Sequence, residues 1–201
     1  MKRVVLATFN EHKASEVQAI FTDLGVEVEV VSAASLGLSS PVEDGVTFEA
    51  NALLKARAAF AECGLPVLAD DSGICVDVLG GAPGVFSARW SGGAGVAENT
   101  DLLLRQLADV PPAHRGAQFV AVVALVAPGA DGQPVEQVVR GEIAGNLTYE
   151  RRGEGGFGYD PIFVPIGYEV TTAELSAQEK NRISHRRRAL EAIAPFLKAL
   201  A

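Results

Sequence analysis

Hydrophobic residues in the first part of the chain follow two spacings that predict a strand, a helix and a second strand. Val4 to Thr8 is a short β-branched run, which is typical of a strand. A polar loop and a helix follow, and Gly25 is expected to end that helix. The apolar positions at helical spacing are Val17, Ile20, Phe21 and Leu24. Val26 to Val31 alternates apolar and acidic residues, so a half-exposed strand completes a β–α–β unit.

A second helix and strand are predicted in the following segment. Thr47 can cap the helix, and Gly64 can end it. The apolar stripe of this helix consists of Phe48, Ala52, Leu53, Ala56 and Phe60, whereas Glu49, Asn51 and Lys55 fall off it. Pro66 to Ala69 predicts a short strand that stops at Asp70-Asp71-Ser72-Gly73. Chemistry often lies at such strand ends.

The remaining patterns predict strands, helices and glycine-rich loops. Leu79 to Gly84 and Gly153 to Asp160 are expected to be loops because glycine and proline disfavour regular structure there. The other predicted elements are a helix at Asn99–Leu107, a hairpin of Gln118–Val126 and Pro134–Gly145, a brief strand at Ile162–Val164, and a final helical region capped by Thr172 or Ser176 with a break near Pro195. This order predicts an α/β fold with mixed strands in one long sheet, in one or two lobes.

The length and composition indicate the size and class of the protein. The chain has 201 residues, 48% of them apolar and 21% charged, which is typical of one soluble globular domain and too apolar for disorder. The net charge of −8 disfavours general binding to nucleic acid or to an anionic membrane. The apolar run Val4–Ala7 is too short for a signal peptide or a membrane span, so we expect a cytoplasmic protein. Cys63 and Cys75 lack metal or disulfide spacing, and buried thiols are expected.

The adjacent carboxylates Asp70 and Asp71 are the first candidates for chemistry. At the end of an apolar strand an unpaired carboxylate is costly, and a cation offsets that cost. Mg²⁺ is the natural cation because it takes oxygen ligands and bridges carboxylates to phosphates, whereas no Cys or His cluster suits zinc. Glu43, together with Glu49, Asn51 and Lys55 on the following helix, could converge on the same strand end. The carboxylates would hold the metal, and Lys55 would meet phosphate. The alternative interpretation of the pair is a simple turn or helix cap.

The loop from Thr8 to Lys13 is a second candidate because it joins a strand to a helix. Backbone N–H groups and the positive end of a helix favour an anionic oxygen, and Lys13 adds a full charge. The loop lacks both the GxxxxGK[ST] and the GxGxxG patterns, so kinase-like and dinucleotide-binding functions lose support.

The segment Phe157-Gly158-Tyr159-Asp160 is a candidate base-binding loop. Aromatic rings beside glycines would let a flat base stack, although core packing is an equally good interpretation. His185 and Arg186 offer hydrogen-bond donors, which suit the 6-oxo group of a purine better than the amino group of adenine. A pocket built from these residues would prefer oxo-purines.

Segments along nearly the whole chain together resemble one known family, the Ham1/RdgB-like inosine triphosphate pyrophosphatases. The resemblance rests on Val5 to Lys13, Thr47-Phe48 with Asn51-Ala52 and Lys55-Ala56, Ala69 to Gly73, Leu79 to Gly84 with Ser87-Ala88-Arg89, Gly155 to Pro161, and Glu179-Lys180 through Ser184-His185-Arg186. It implies one domain over residues 1–201, with an elongated mixed β-sheet flanked by helices and two lobes around a central cleft. It also implies a homodimer.

The same resemblance implies hydrolysis of ITP, dITP and XTP to the monophosphate and pyrophosphate with Mg²⁺, which cleanses the nucleotide pool. The implied substrate-binding residues are Thr8, Phe9, Asn10, Glu11, His12, Lys13, Lys55, Ser72, Phe157, Gly158, Tyr159, Asp160, Lys180, His185 and Arg186. Asp71 is implied as metal ligand and catalytic base, and Glu43 and Asp70 are expected to assist with the metal.

Two positions depart from the family pattern. Phe9 stands where the first loop commonly has glycine, and Ala50 stands where the helix commonly has glutamate. Two other functions remain as alternatives, and only the second of them draws support from these departures. One is a Maf-like pyrophosphatase for modified pyrimidine or other triphosphates, which a substrate panel would separate. The other is a nucleotide-sensing module that binds ITP without turnover.

Overall fold

The chain forms strands and helices in alternation over most of its length. The computed structural model describes residues 2–200, except for the side chains of Glu11 and His12. Within this range the strands are β1 (Lys2–Leu6), β2 (Val28–Ser32), β3 (Val67–Val76), β4 (Gly116–Pro128), β5 (Pro134–Leu147) and β6 (Phe163–Pro165). The α-helices are α1 (Glu11–Asp23), α2 (Phe48–Cys63), α3 (Val96–Gln106), α4 (Ala177–Ile183) and α5 (His185–Ala199).

The strands form one mixed sheet in the order β2-β1-β3-β4-β5-β6. β1 pairs in parallel with β2 and with β3, and β6 pairs antiparallel with β5. Helices α1 and α2 supply the crossovers that parallel neighbours require, whereas the short connection between β4 and β5 suits only a hairpin. The predicted α/β fold with a mixed sheet flanked by helices is confirmed.

The chain divides into two compact units. The first comprises the residues up to Asp71, Ala121–Gly141 and the residues from Arg186 onward, and the second comprises Ser72–Val120 and Glu142–His185. Each unit buries its own hydrophobic core. In the first unit one side of α1 packs Val17 and Phe21 into the core, as the helical spacing predicts.

Local signals set the bounds of α2 as predicted. The Thr47 hydroxyl accepts a hydrogen bond from the Ala50 N–H at 3.1 Å, which is the geometry of an N-cap. Gly64 follows the helix with a φ of 64°, a left-handed conformation that glycine adopts without steric cost. Because α2 carries several candidate residues, these two ends set their places on the helix.

The predicted end of the third strand is wrong, because β3 runs through Asp70, Asp71 and Gly73 to Val76. Ile74 and Val76 are fully buried, so the strand regains an apolar face beyond the carboxylates. The Ser87 hydroxyl accepts the Ile74 N–H at 2.9 Å and thereby satisfies a backbone donor there. The aspartate pair therefore lies within a strand and not in a turn.

The C-terminal helices also differ from the prediction. Ser176, and not Thr172, caps α4, since its hydroxyl accepts the Glu179 N–H at 3.2 Å. The break lies at Ser184, where ψ is 149°, and α5 continues through Pro195. Core packing on both sides of that proline offsets the missing N–H, because Ile193 and Leu197 are buried.

Candidate active site

Lys55 lies between two carboxylates in the first unit. Its Nζ is 3.0 Å from Glu43 Oε1 and 3.1 Å from Asp71 Oδ1. Helix α2 supplies the lysine, the loop before α2 supplies Glu43, and β3 supplies Asp71. Three elements therefore bring one positive and two negative groups together, as the sequence predicted only in outline.

Burial and neighbouring charges shift the pKa values of both Asp71 and Lys55. Burial raises the pKa of the Asp71 carboxyl, and this effect outweighs the opposing influence of Lys55 and the Asn51 hydrogen bond. Burial alone would lower the pKa of Lys55, but the charges of Asp71, Asp70 and Glu43 raise it overall. Asp71 is consequently a better proton acceptor than an ordinary aspartate, while Lys55 stays protonated at neutral pH.

Asn51 contacts the same carboxylate, and periodicity did not reveal how deeply it lies. Its Nδ2 donates to Asp71 Oδ2 at 3.2 Å, and its Oδ1 accepts the Gly45 N–H at 2.8 Å. The residue is fully buried although it falls outside the apolar stripe of α2. Asn51 stands one helical turn before Lys55, which places both side chains on one face, and both reach the aspartate pair as their predicted convergence implies.

Asp70 lies in a second set of charges with Lys13, Arg186 and Glu16. Lys13 Nζ is 2.6 Å from Asp70 Oδ1, and Arg186 Nε is 3.5 Å from Asp70 Oδ2. Arg186 also lies 3.5 Å from Glu16, so its guanidinium bridges two carboxylates. Burial would raise the pKa of Asp70, but Lys13 and Arg186 hold it far below the ordinary range.

A cavity of about 210 Å³ opens beside these charges in the first unit. Predicted residues that line it are Thr8, Phe9, Lys13, Glu43, Lys55 and Asp70. The Phe9 ring is half exposed at the cavity wall. Asn10 precedes α1, and its carbonyl accepts the Lys13 N–H at 3.1 Å, so the N-terminal turn of that helix begins at the cavity. A cavity lined by two lysines beside carboxylates suits a polyanion that arrives with a cation.

The donor chemistry near Lys55 fits a hard divalent cation. Glu43 and Asp71 already share one positively charged nitrogen, and carboxylate oxygens are the ligands that Mg²⁺ prefers. Within residues 2–200, leaving aside the side chains of Glu11 and His12, no three His, Cys, Asp or Glu side chains form a metal-holding group. Mg²⁺ commonly takes part of its coordination from substrate oxygens and water.

Asp160 organises a separate network in the second unit. Its Oδ2 accepts the Lys180 ammonium at 2.5 Å and the Phe157 N–H at 2.7 Å, and its Oδ1 accepts the Thr172 hydroxyl at 2.8 Å. The backbone packs closely here, because a Cβ on Gly156 would lie 2.3 Å from Asp160 Oδ2. The φ of 72° at Gly156 also favours glycine.

The two aromatic residues of this loop have different surroundings. The Phe157 side chain is 64% exposed, and the Lys180 Nζ lies 4.9 Å from the centre of its ring. Tyr159 is buried, and its hydroxyl donates to the Ser87 carbonyl at 2.8 Å. Burial raises the pKa of that hydroxyl. Phe157 is thus the aromatic of this pair that offers an open face to a flat ligand.

The chain is similar to known proteins along nearly its whole length. The model of the Ham1 family matches residues 4–196. The chain belongs to the Ham1 family. It is 54% identical to a dITP/XTP pyrophosphatase of Leifsonia xyli over 202 residues, covering 100% of this chain and 98% of the relative. The structure of a HAM1 protein from Coxiella burnetii matches with a TM-score of 0.89 and 38% identity, covering 99% of this chain and 100% of that chain.

A second solved structure is more similar in sequence. A nucleoside-triphosphatase and dITP/XTP pyrophosphatase from Mycobacterium abscessus is 46% identical, with a TM-score of 0.77 and coverage of 96% of this chain and 99% of that chain. These matches extend over almost the entire chain. The predicted membership of the Ham1 family is therefore confirmed.

The residues predicted for the site of this Ham1-family chain lie in two groups and at several separate positions. The first unit brings together Lys13, Glu43, Lys55, Asp70 and Asp71, and the second brings together Phe157, Asp160 and Lys180. Other predicted residues have their own surroundings: Ser72 is partly exposed in β3, the Gly158 carbonyl accepts the Thr100 hydroxyl, and the His185 ring stacks on Phe119 with the centroids 5.0 Å apart. The predictions for Glu11 and His12 lie outside the described side chains.

Ala50, the second departure from the family pattern, is exposed on α2. The neighbouring Glu49 does not take the place of a glutamate at position 50, because its carboxylate lies 3.1 Å from Arg140 Nη1. Adjacent helix positions point about 100° apart, which explains why the two sites are not equivalent.

Proposed function

We propose that this chain hydrolyses non-canonical purine nucleoside triphosphates, namely ITP, dITP and XTP, to the monophosphate and pyrophosphate. The curated relatives that carry the name dITP/XTP pyrophosphatase are about half identical to the chain over its whole length, which supports this function. The observation that carries it at the site is the position of Lys55, whose ammonium lies 3.0 Å from Glu43 and 3.1 Å from Asp71. A triphosphate that arrives with a divalent cation needs this combination of charges.

The metal of the proposed reaction is Mg²⁺, and Asp71 and Glu43 would hold it. When bound, it would neutralise the triphosphate and stabilise the charge that develops on the leaving pyrophosphate. Asp70 was predicted as a third ligand, and that role stays a prediction. Its two oxygens face Lys13 and Arg186, which favours a role in holding these cations.

The side chains of the site have separate tasks in the proposed hydrolysis. Asp71 takes a proton from the attacking water, since an ionised carboxylate within reach of that water can act as a general base. The water oxygen bonds to the α-phosphorus, and the bond from that phosphorus to the bridging oxygen breaks, so pyrophosphate leaves with the electron pair. Lys13 and Lys55 would neutralise phosphate oxygens in the cavity that both lysines line.

Recognition of the base is proposed from fewer observations. The exposed ring of Phe157 supports stacking of a purine, while the hydrogen bonds of Tyr159 to Ser87 and of Asp160 to the Phe157 N–H hold the loop in place. The donors predicted on His185 and Arg186 for a 6-oxo group stay predictions, as do the homodimer and the cytoplasmic location. No helix within residues 2–200 combines the length and the hydrophobicity that a membrane crossing requires.

Product analysis tests the proposed function. The protein is incubated with dITP and MgCl₂, and the products are separated by ion-exchange chromatography. We expect dIMP and pyrophosphate, whereas dIDP and inorganic phosphate would contradict the position of attack. A panel of ITP, XTP, GTP, ATP and modified pyrimidine triphosphates distinguishes the Maf-like alternative. Tight ITP binding without pyrophosphate release would support the nucleotide-sensing alternative.

A further inference from the structure

Asn51 connects two segments that carry the acidic residues of the site. It is a polar residue with no exposed surface, and each end of its amide is bound to a different segment. The oxygen accepts from Gly45, two residues after Glu43, and the nitrogen donates to Asp71 in β3. Buried amides are costly unless they are hydrogen-bonded, so these two contacts stabilise the position of both segments relative to α2.

The orientation of the Asn51 amide is determined by its partners. The Gly45 N–H can only donate, so the amide oxygen must face it, and the NH₂ group must then face Asp71. The approach is close, because a Cβ on Gly45 would lie 2.5 Å from Asn51 Oδ1. The amide therefore cannot flip without leaving a buried donor opposite a backbone N–H.

Asn51 and Lys55 divide the oxygens of Asp71 between them. They stand four positions apart on α2, where side chains share one face. Asn51 donates to Oδ2 and Lys55 to Oδ1, at 3.2 Å and 3.1 Å. Asn51 is uncharged and buried, so its hold on Oδ2 does not depend on which cation meets Oδ1. The hydrogen bond from Asn51 therefore fixes the orientation of the Asp71 carboxylate, and Oδ1 is left to face the charged groups.

We propose that Asn51 is a positioning residue for the proposed pyrophosphatase reaction. It orients Asp71 through Oδ2 and holds the Glu43 loop through Gly45, so that both carboxylates stay within reach of the Lys55 ammonium, at 3.1 Å and 3.0 Å. The inference rests on the proposed function, in which Asp71 and Glu43 hold the metal. Partners that orient ligating carboxylates typically change metal affinity or activity about 10–100-fold when they are removed.

The variant Asn51→Leu tests this role because leucine has a similar shape and forms no hydrogen bond. Asn99→Leu is the matched control. Asn99 is also buried in a helix and also binds two positions, with its Oδ1 accepting the Ser91 N–H at 2.7 Å and its Nδ2 donating to the Ala88 carbonyl at 3.0 Å. Mn²⁺ binding to each protein without nucleotide is measured by electron paramagnetic resonance, with Asp71→Asn as the reference for a disabled site. Thermal unfolding and the kcat and KM for dITP are measured in parallel.

We expect both leucine variants to lose thermal stability, but only Asn51→Leu to lose Mn²⁺ affinity and kcat, each by about 10–100-fold. Its KM for dITP at saturating Mg²⁺ should change less than its kcat. Mn²⁺ affinity and kcat within twofold of the wild type would overturn the proposal, and so would equal losses in Asn99→Leu. If a leucine variant fails to fold, Asn51→Ala and Asn99→Ala are compared by the same measurements, because alanine is the best helix former.

The wild-type protein separates failure of this inference from failure of the proposed function. If wild-type protein does not release pyrophosphate from dITP, the proposed function fails first. If it does release pyrophosphate and Asn51→Leu matches it, only the positioning role of Asn51 is lost.

Discussion

Lys13 and Asp70 form an ion pair in which Nζ lies 2.6 Å from Oδ1, and Asp70 is the more deeply buried partner. Arg186 approaches the other oxygen of the same carboxylate. These cations hold the pKa of Asp70 far below its ordinary value, against the effect of burial. A carboxylate with a depressed pKa stabilises the folded state, so Asp70 should contribute to stability as well as to the site.

Asp70→Asn should therefore lower the free energy of unfolding by about 3 kcal/mol at pH 7, because two cations lose a buried partner. The unfolded carboxyl titrates near pH 3.9 and the folded one lower, so the wild-type advantage should persist down to about pH 5 and shrink as pH falls further. Urea unfolding at several pH values measures this difference. Asp23→Asn is the control, since Asp23 is exposed, and its loss should stay below about 1 kcal/mol. Equal stability of Asp70→Asn and wild type at pH 7 would contradict the assignment.

Asp71→Asn, unlike Asp70→Asn, should keep the stability of the fold, but it should lose activity. Burial raises the pKa of Asp71, so the folded state favours the protonated form, and the stability it contributes is lost as pH rises through the folded pKa. At pH 7 asparagine removes the cost of burying this ionised carboxylate, which offsets the ion pair with Lys55 that it also removes. Turnover of dITP should fall by about 10²–10⁴-fold because the proton acceptor is missing. Steady-state kinetics and urea unfolding test the two parts, and unchanged turnover would exclude Asp71 as the base.

Local sequence signals predicted the elements whose ends depend on neighbouring residues. Thr47 and Gly64 bound α2 as expected, because an N-cap and a left-handed glycine act within one turn of the helix. The continuation of β3 through Asp70 was not predicted, since its charge is balanced by Lys13 and Arg186 from distant parts of the chain. An isolated strand with two adjacent carboxylates resembles a turn until those partners are known.

Arg115 is a second residue whose surroundings could not be predicted, because its partners also come from distant parts of the chain. Its guanidinium is buried and donates to the carbonyls of Leu107, Leu147 and Thr148. An arginine in a polar segment predicts a surface position, because charged side chains are rarely buried without partners. Here the partners are backbone acceptors at the ends of separate elements. The pattern of residue types could not show that these ends meet.

Phe157→Ala should weaken nucleotide binding without affecting stability. Stacking of a base on an aromatic ring contributes about 1–3 kcal/mol, so the KM for dITP should rise by roughly 5- to 150-fold. The free energy of unfolding should change by less than about 0.5 kcal/mol, because the ring is 64% exposed. Phe86→Ala is a close control, since Phe86 is half exposed with the Arg89 guanidinium 5.2 Å from its ring centre. If both variants raise the KM equally, stacking on Phe157 is not the cause.

Thr172 should act through Asp160, although its position first indicated a helix cap. Its buried hydroxyl donates to Asp160 Oδ1 at 2.8 Å, while Asp160 Oδ2 accepts the Phe157 N–H at 2.7 Å. Thr172→Val keeps the shape of the side chain but removes the donor, which should cost about 1–3 kcal/mol of stability. The KM for dITP should rise as well, because the turn that presents Phe157 loosens.

The neighbouring residue provides the control for that variant. Thr171 is also buried, and its hydroxyl donates to the Arg152 carbonyl at 2.8 Å, away from Asp160. Thr171→Val should therefore lose a similar amount of stability while the KM for dITP stays unchanged. Thr172→Ser keeps the donor and should restore the wild-type KM. If Thr172→Val raises the KM no more than Thr171→Val does, the hydroxyl of Thr172 has only a structural role, and Asp160 keeps the Phe157 loop in place without it.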